Sequence, residues 1–127
     1  MNGVQSYRNK KIKKIRTMVE KIYNKLVRDN IPDIIEKTER QTCYYTYCES
    51  DAEYFKYLIE KVEEEIREFE KNPCGQEMGD VMEVLDAIIK LKNIDRSLIK
   101  DYQQLKLHEN GGFNERIVLK SVKIYDK

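Results

Sequence analysis

Apolar residues recur at helical spacing through the middle of the chain. From Tyr54 onward, Phe55, Leu58, Ile59, Val62, Ile66 and Phe69 fall within one arc about 140° wide when successive residues are turned by about 100°. Ser50-Asp51-Ala52-Glu53 has the form of a capping box: the Ser50 oxygen accepts from the Glu53 N–H and Glu53 reaches back. Asn72-Pro73-Cys74-Gly75 breaks the pattern. A helix is therefore predicted over 51–71. A second amphipathic run, with Met78, Val81, Met82, Val84, Leu85, Ile88, Ile89 and Leu91 defining its apolar arc, predicts a helix over 76–92. A third is predicted over 95–109, closed by Gly111 or Gly112 in a left-handed cap. Upstream, Asn30-Ile31-Pro32 suits a helix start with the proline in the first turn, leading to a short helix through Lys37. Two other stretches read as strands: TCYYTY at 42–47, β-branched and aromatic, and the alternating 116–124. Together these predict a mainly α fold, an antiparallel helical bundle with a short hairpin-like strand pair.

Length and charge narrow this further. The 127 residues suit one domain, and the 24 basic and 23 acidic side chains leave a net charge of +1. So balanced a chain has no overall pull toward nucleic acid or an anionic membrane surface. The charge is unevenly placed. Arg8, Lys10, Lys11, Lys13, Lys14 and Arg16 form a basic N-terminal run, whereas 49–70 is acidic. Residues 1–20 are expected to be an extension to a single domain over 21–127: a disordered tail, a segment upstream of a start at Met18, or a nucleic-acid-binding arm. No apolar run reaches the ~18 residues of a membrane helix. Three loosely spaced cysteines and one histidine offer neither a zinc site nor a disulfide framework, and a reducing cytoplasm is expected.

The carboxylates raise the question of chemistry. On the first long helix Glu65 falls inside the apolar arc and Glu68 just outside it, while Glu64 lies farther round. On the second, Glu77 lies inside the arc and Asp80 at its border. Residues three apart project from one face, so each helix offers an inward pair, Glu65/Glu68 and Glu77/Asp80. The short turn at 72–75 makes the helices antiparallel neighbours and sets both pairs near it. Four such groups repel and resist desolvation. A divalent cation would offset this. An all-oxygen set without His or Cys suits Mg²⁺, with Mn²⁺ as a substitute. The plain alternative is a solvated acidic face, with Glu77 favoured by the helix dipole.

In order along the chain come YNKLVRDNIP at 23–32, Glu-Glu-x-x-Glu at 64–68, Glu-x-x-Asp at 77–80 and Gly-Gly-Phe-x-x-Arg at 111–116. This succession resembles the MazG-like nucleotide pyrophosphohydrolases, the all-α NTP pyrophosphatases. Within them it is most similar to the small phosphoribosyl-ATP pyrophosphohydrolase-like, house-cleaning subgroup. The resemblance covers about residues 22–122. It implies an all-α core that holds Mg²⁺ through Glu65, Glu68, Glu77 and Asp80. It also implies cleavage of a nucleoside triphosphate between the α and β phosphates, and assembly as a homodimer or homotetramer. The sequence departs from the family at Asn110 and Asn30, where the family commonly has basic residues, and in the short interval between the acidic motifs.

Within that implied reaction Glu64 is the candidate to accept the proton of the attacking water. Lys25 and Arg28 are candidates to hold the outer phosphates, with Lys106 and Arg116 behind them; a planar guanidinium suits phosphate. The alternative for Lys25 and Arg28 is a surface pair bonded to helix carbonyls or to Asp29. Tyr44, Tyr45 and Tyr47 read as core packing or as a base-stacking surface, and His108 as a cation suited to a helix end. Two other readings compete: the phosphoribosyl-ATP step of histidine biosynthesis, and a nonenzymatic helical dimerisation module.

Overall fold

The computed structural model describes residues 18–127; the basic run of the N-terminal extension lies outside the described residues. The chain divides into two units, Met1–Cys43 and Tyr44–Lys127.

In the first unit, α1 (Ile31–Lys37) begins where Asn30 and Pro32 predict, although the Asn30 side chain makes no cap bond. Thr38 ends it by donating its hydroxyl to the Ile34 carbonyl at 2.8 Å. Glu36 then draws the chain back: its carboxylate accepts the Cys43 backbone N–H at 3.0 Å and the Cys43 thiol at 3.5 Å. Partial burial, followed by that hydrogen bond and the charge of Glu36, pushes the thiol above its ordinary range.

The second unit holds α2 (Asp51–Lys71), α3 (Gly75–Leu91) and α4 (Arg96–Asn110). Caps placed these ends. Ser50 Oγ accepts from the Glu53 N–H at 3.1 Å. The return arm of the capping box is displaced by one residue, for Glu53 accepts from the Glu49 N–H at 3.2 Å. α3 starts at Gly75, one residue before the predicted position, and Asp95 caps α4 from outside it. Gly111 closes α4 at φ 81°, ψ 178°, so its backbone is in a positive-φ region that is essentially glycine's alone and not in the left-handed helical one.

α2 and α3 form an antiparallel hairpin, the one extensive helix–helix packing among the described residues. Lys92, just past the end of α3, lies 4.0 Å over the Phe55 ring near the start of α2. Leu58, Val81 and Val84 are its buried centre. Arg96 ties the start of α4 to Asp86 at 2.9 Å, an exposed ion pair worth little.

Both predicted strands are corrected. Residues 42–47 and 116–124 make no strand, and no strand is found among the described residues. A strand needs ladder partners. The Cys43 N–H goes to Glu36 instead, and Tyr45 and Tyr47 meet each other edge to face at 5.8 Å. The fold is mainly helical, and the hairpin-like strand pair is not seen.

Candidate metal centre

The turn between α2 and α3 is three residues long, because Asn72 ends one helix and Cys74 begins the next. That shortness brings the last turns of α2 opposite the first turns of α3. Glu65, Glu77 and Asp80 converge there. Each is half-buried, and one oxygen from each lies within 4.8 Å of the others. Glu77 stands in the first turn of α3, where the free N–H groups of the helix end favour a negative charge.

The fourth expected ligand is turned elsewhere. Glu68 pairs with Lys71 at 3.8 Å, its side chain half exposed, and is outside the three-carboxylate group. Glu64, the expected proton acceptor, accepts a 3.1 Å hydrogen bond from Lys61 Nζ. Lys61 also lies 3.5 Å from Glu65 Oε1, and its side chain is only 14% exposed. Lys61 is therefore a resident counter-ion beside the carboxylate group. Its position three residues before Glu64 and four before Glu65 was the available signal, since such pairs meet on a helix face.

The cationic candidates are spread over both units. Lys25 and Arg28 belong to the first, described by itself; Lys25 Nζ is 5.6 Å from the Tyr23 ring, and the Arg28 carbonyl accepts the Ile31 N–H at 3.0 Å. In the second unit Lys106 Nζ sits 5.6 Å from the Tyr102 ring on α4. Arg116 has a left-handed backbone at φ 58° and donates its N–H to the Phe113 carbonyl at 3.1 Å. His108 is exposed in the last turn of α4. Tyr44 and Tyr47 are exposed too, so they fill no core.

The donor set fits a hard divalent ion. Oxygens on opposite sides of Mg²⁺ are about 4.2 Å apart and adjacent ones about 3 Å, from ligand distances near 2.1 Å. The 4.8 Å limit is wider than either spacing, so the three side chains would draw together on binding an ion. The absence of His and Cys from the group disfavours softer metals.

Comparison with protein-family models, with curated proteins and with solved structures finds no match.

Proposed function

We propose that the chain is a Mg²⁺-dependent nucleotide pyrophosphohydrolase, which cleaves a nucleoside triphosphate or a related nucleotide to the monophosphate and pyrophosphate. The observation that carries this reading is the meeting of Glu65, Glu77 and Asp80 across the α2–α3 turn. These are three of the four ligands that the resemblance to the MazG-like enzymes implies. House-cleaning of noncanonical nucleotides is the role proposed, in the cytoplasm, where the free thiols Cys43, Cys48 and Cys74 are at home.

The chemistry is attack of water on phosphorus. A P–O bond forms, the bridging α–β P–O bond breaks, pyrophosphate leaves, and the water gives up a proton. A cation held there would supply charge neutralisation and lower the pKa of that water. Glu65, Glu77 and Asp80 would hold it, and Glu68 would have to release Lys71 to join them. Glu64 takes the proton, which requires Lys61 to yield its hydrogen bond or to move with it. Lys25, Arg28, Lys106 and Arg116 are the proposed phosphate contacts; an anionic substrate needs cations that carboxylates cannot provide.

The test is pyrophosphate release from a panel of canonical and damaged nucleoside triphosphates and phosphoribosyl-ATP, with Mg²⁺, with Mn²⁺ and with EDTA. Metal-dependent release that falls by at least about 100-fold in Asp80→Asn, a typical loss for a catalytic electrostatic group, supports the reading. Release from phosphoribosyl-ATP alone moves the enzyme to histidine biosynthesis. A folded protein that releases nothing from the whole panel overturns it and leaves the helical dimerisation module.

A further inference from the structure

Lys61 stands apart from the other basic side chains. Among the described residues every other lysine and arginine is exposed, whereas Lys61 is half-buried. Its place on α2 explains this. Turned by about 100° per residue, Lys61 lies about 60° from the buried Leu58, at the edge of the face that packs on α3. The methylene stem is covered by the hairpin while the ammonium reaches the border. Helical side chains lean toward the N-terminus, so Glu64 and Glu65, one turn later, lean back onto it. Lys61 Nζ donates to Glu64 Oε2 at 3.1 Å and lies 3.5 Å from Glu65 Oε1.

A lysine that served only to offset the three converging carboxylates would stand among them. Lys61 stands beside them instead. It borders the group at Glu65 and is hydrogen-bonded to Glu64, which is not a member of it. A divalent cation on Glu65, Glu77 and Asp80 would repel the ammonium without displacing the stem. The ammonium then favours the next anion within its reach.

We propose that Lys61 is a phosphate-binding residue of this site: its ammonium passes from Glu64 and Glu65 to a phosphate oxygen when a metal-bound polyphosphate arrives. The proposal rests on the nucleotide reading above and deepens it. Its first ground is charge. Glu64, Glu65, Glu77 and Asp80 bring four negative charges, and a divalent cation together with Lys61 returns three. A polyphosphate adds more negative charge than that balance can take, so every cation at the rim is needed. A terminal phosphate carries up to about two charges against one on Glu64, so the ammonium gains by the exchange. Its second ground is mobility at a fixed place. A lysine ammonium is a compact charge with three donors on a flexible stem, and here the covered stem keeps it beside the carboxylates. Lys106 and Arg116 have no such setting: both are exposed, one on α4 and the other beyond its end. The transfer also supplies the departure from Glu64 that the proposed reaction requires.

The test is calorimetric binding to the full chain, without turnover. Mn²⁺ is titrated alone, and inorganic pyrophosphate is titrated in excess Mg²⁺. The proteins are wild type, Lys61→Met, Lys61→Gln, Lys61→Arg and Lys56→Met, the last removing the same charge from an exposed position on α2. Met and Gln keep most of the stem, so the hairpin packing is retained. Loss of a hydrogen bond to a charged group weakens binding by roughly 10- to 100-fold. Lys61→Met and Lys61→Gln should therefore bind pyrophosphate about 10- to 100-fold more weakly, yet bind Mn²⁺ more tightly. Lys61→Arg should recover most of the pyrophosphate affinity, and Lys56→Met should match wild type for both ligands. A lysine that only held the hairpin together would weaken both ligands when replaced, so the opposite signs are the signature of a phosphate contact. Pyrophosphate binding unchanged in Lys61→Met and Lys61→Gln overturns the proposal and leaves the metal centre standing. Weaker binding of both ligands, or Mn²⁺ binding by a wild type that takes no pyrophosphate, does the same. A wild type that binds no Mn²⁺ overturns the metal centre itself, and this proposal with it.

Discussion

Neutralising Glu77 should stabilise the fold when divalent cations are absent and abolish the stabilisation that they bring. The Glu77 oxygen lies within 4.8 Å of oxygens of both Glu65 and Asp80. At that separation two unit charges repel by about 0.9 kcal/mol in a water-like medium and by about 3.5 kcal/mol at an effective dielectric constant of 20. The three groups are half-buried, so the low end applies, and relieving two repulsions is worth at least about 1.7 kcal/mol. Against this, Glu77 stands in the first turn of α3, where the dipole favours a charge by about 0.3–1 kcal/mol. Repulsion wins by about 1 kcal/mol, which is a rise of about 4 °C in Tm for a chain of 127 residues. The assay is thermal unfolding of wild type and Glu77→Gln at one protein concentration, in EDTA and in increasing Mg²⁺. Wild type should gain about 2.7 kcal/mol when Mg²⁺ reaches 100 times its dissociation constant; the variant should gain far less. A lower Tm for Glu77→Gln in EDTA would show that repulsion does not govern this cluster. Equal Mg²⁺ stabilisation of both proteins would remove Glu77 from the cation site.

Lys61→Met should tighten Mn²⁺ binding, measured calorimetrically. A charge 3.5 Å from Glu65 contributes about 1.2 kcal/mol in a water-like medium, so its removal should lower the dissociation constant roughly sevenfold, and unchanged or weaker binding would contradict its role as a competing cation. Asp95 accepts from the Ser97 hydroxyl at 2.7 Å and the Ser97 N–H at 2.9 Å, bonds that hold its carboxyl below the ordinary value of 3.8. A group depressed in the folded state stabilises above its unfolded pKa and loses that stabilisation as pH falls through the folded one. Urea midpoints of wild type and Asp95→Ala should therefore differ by a constant amount above pH 3.8 and converge below it; a gap that persists to the lowest pH would refute the assignment.

The helix ends were legible because local chemistry sets them. Ser50 and Asp95 each satisfy an otherwise free backbone N–H, and Pro73 stops a helix whatever surrounds it. The 3.6-residue period likewise made it possible to place Glu65, Glu77 and Asp80 on facing sides of two helices, since a three-residue turn leaves little freedom. The strands were not legible. Tyr44, Tyr45 and Tyr47 have strand propensity, but a strand exists only with a partner, and the Cys43 N–H is already taken by Glu36.

The direction in which a flexible charged side chain settles was also beyond the sequence. Glu68 stands at a helical angle that permits it to join the carboxylates, yet it lies outside them, beside Lys71 at the surface. Lys61 had a position close to the apolar arc, and only the packed hairpin shows it bent between Glu64 and Glu65. Period and caps by themselves determined four helices and the faces they present, because both act over a few bonds. Tertiary structure decided which apolar side is covered, which carboxylates meet and which lysine attends them, because those outcomes depend on what lies across a gap between segments.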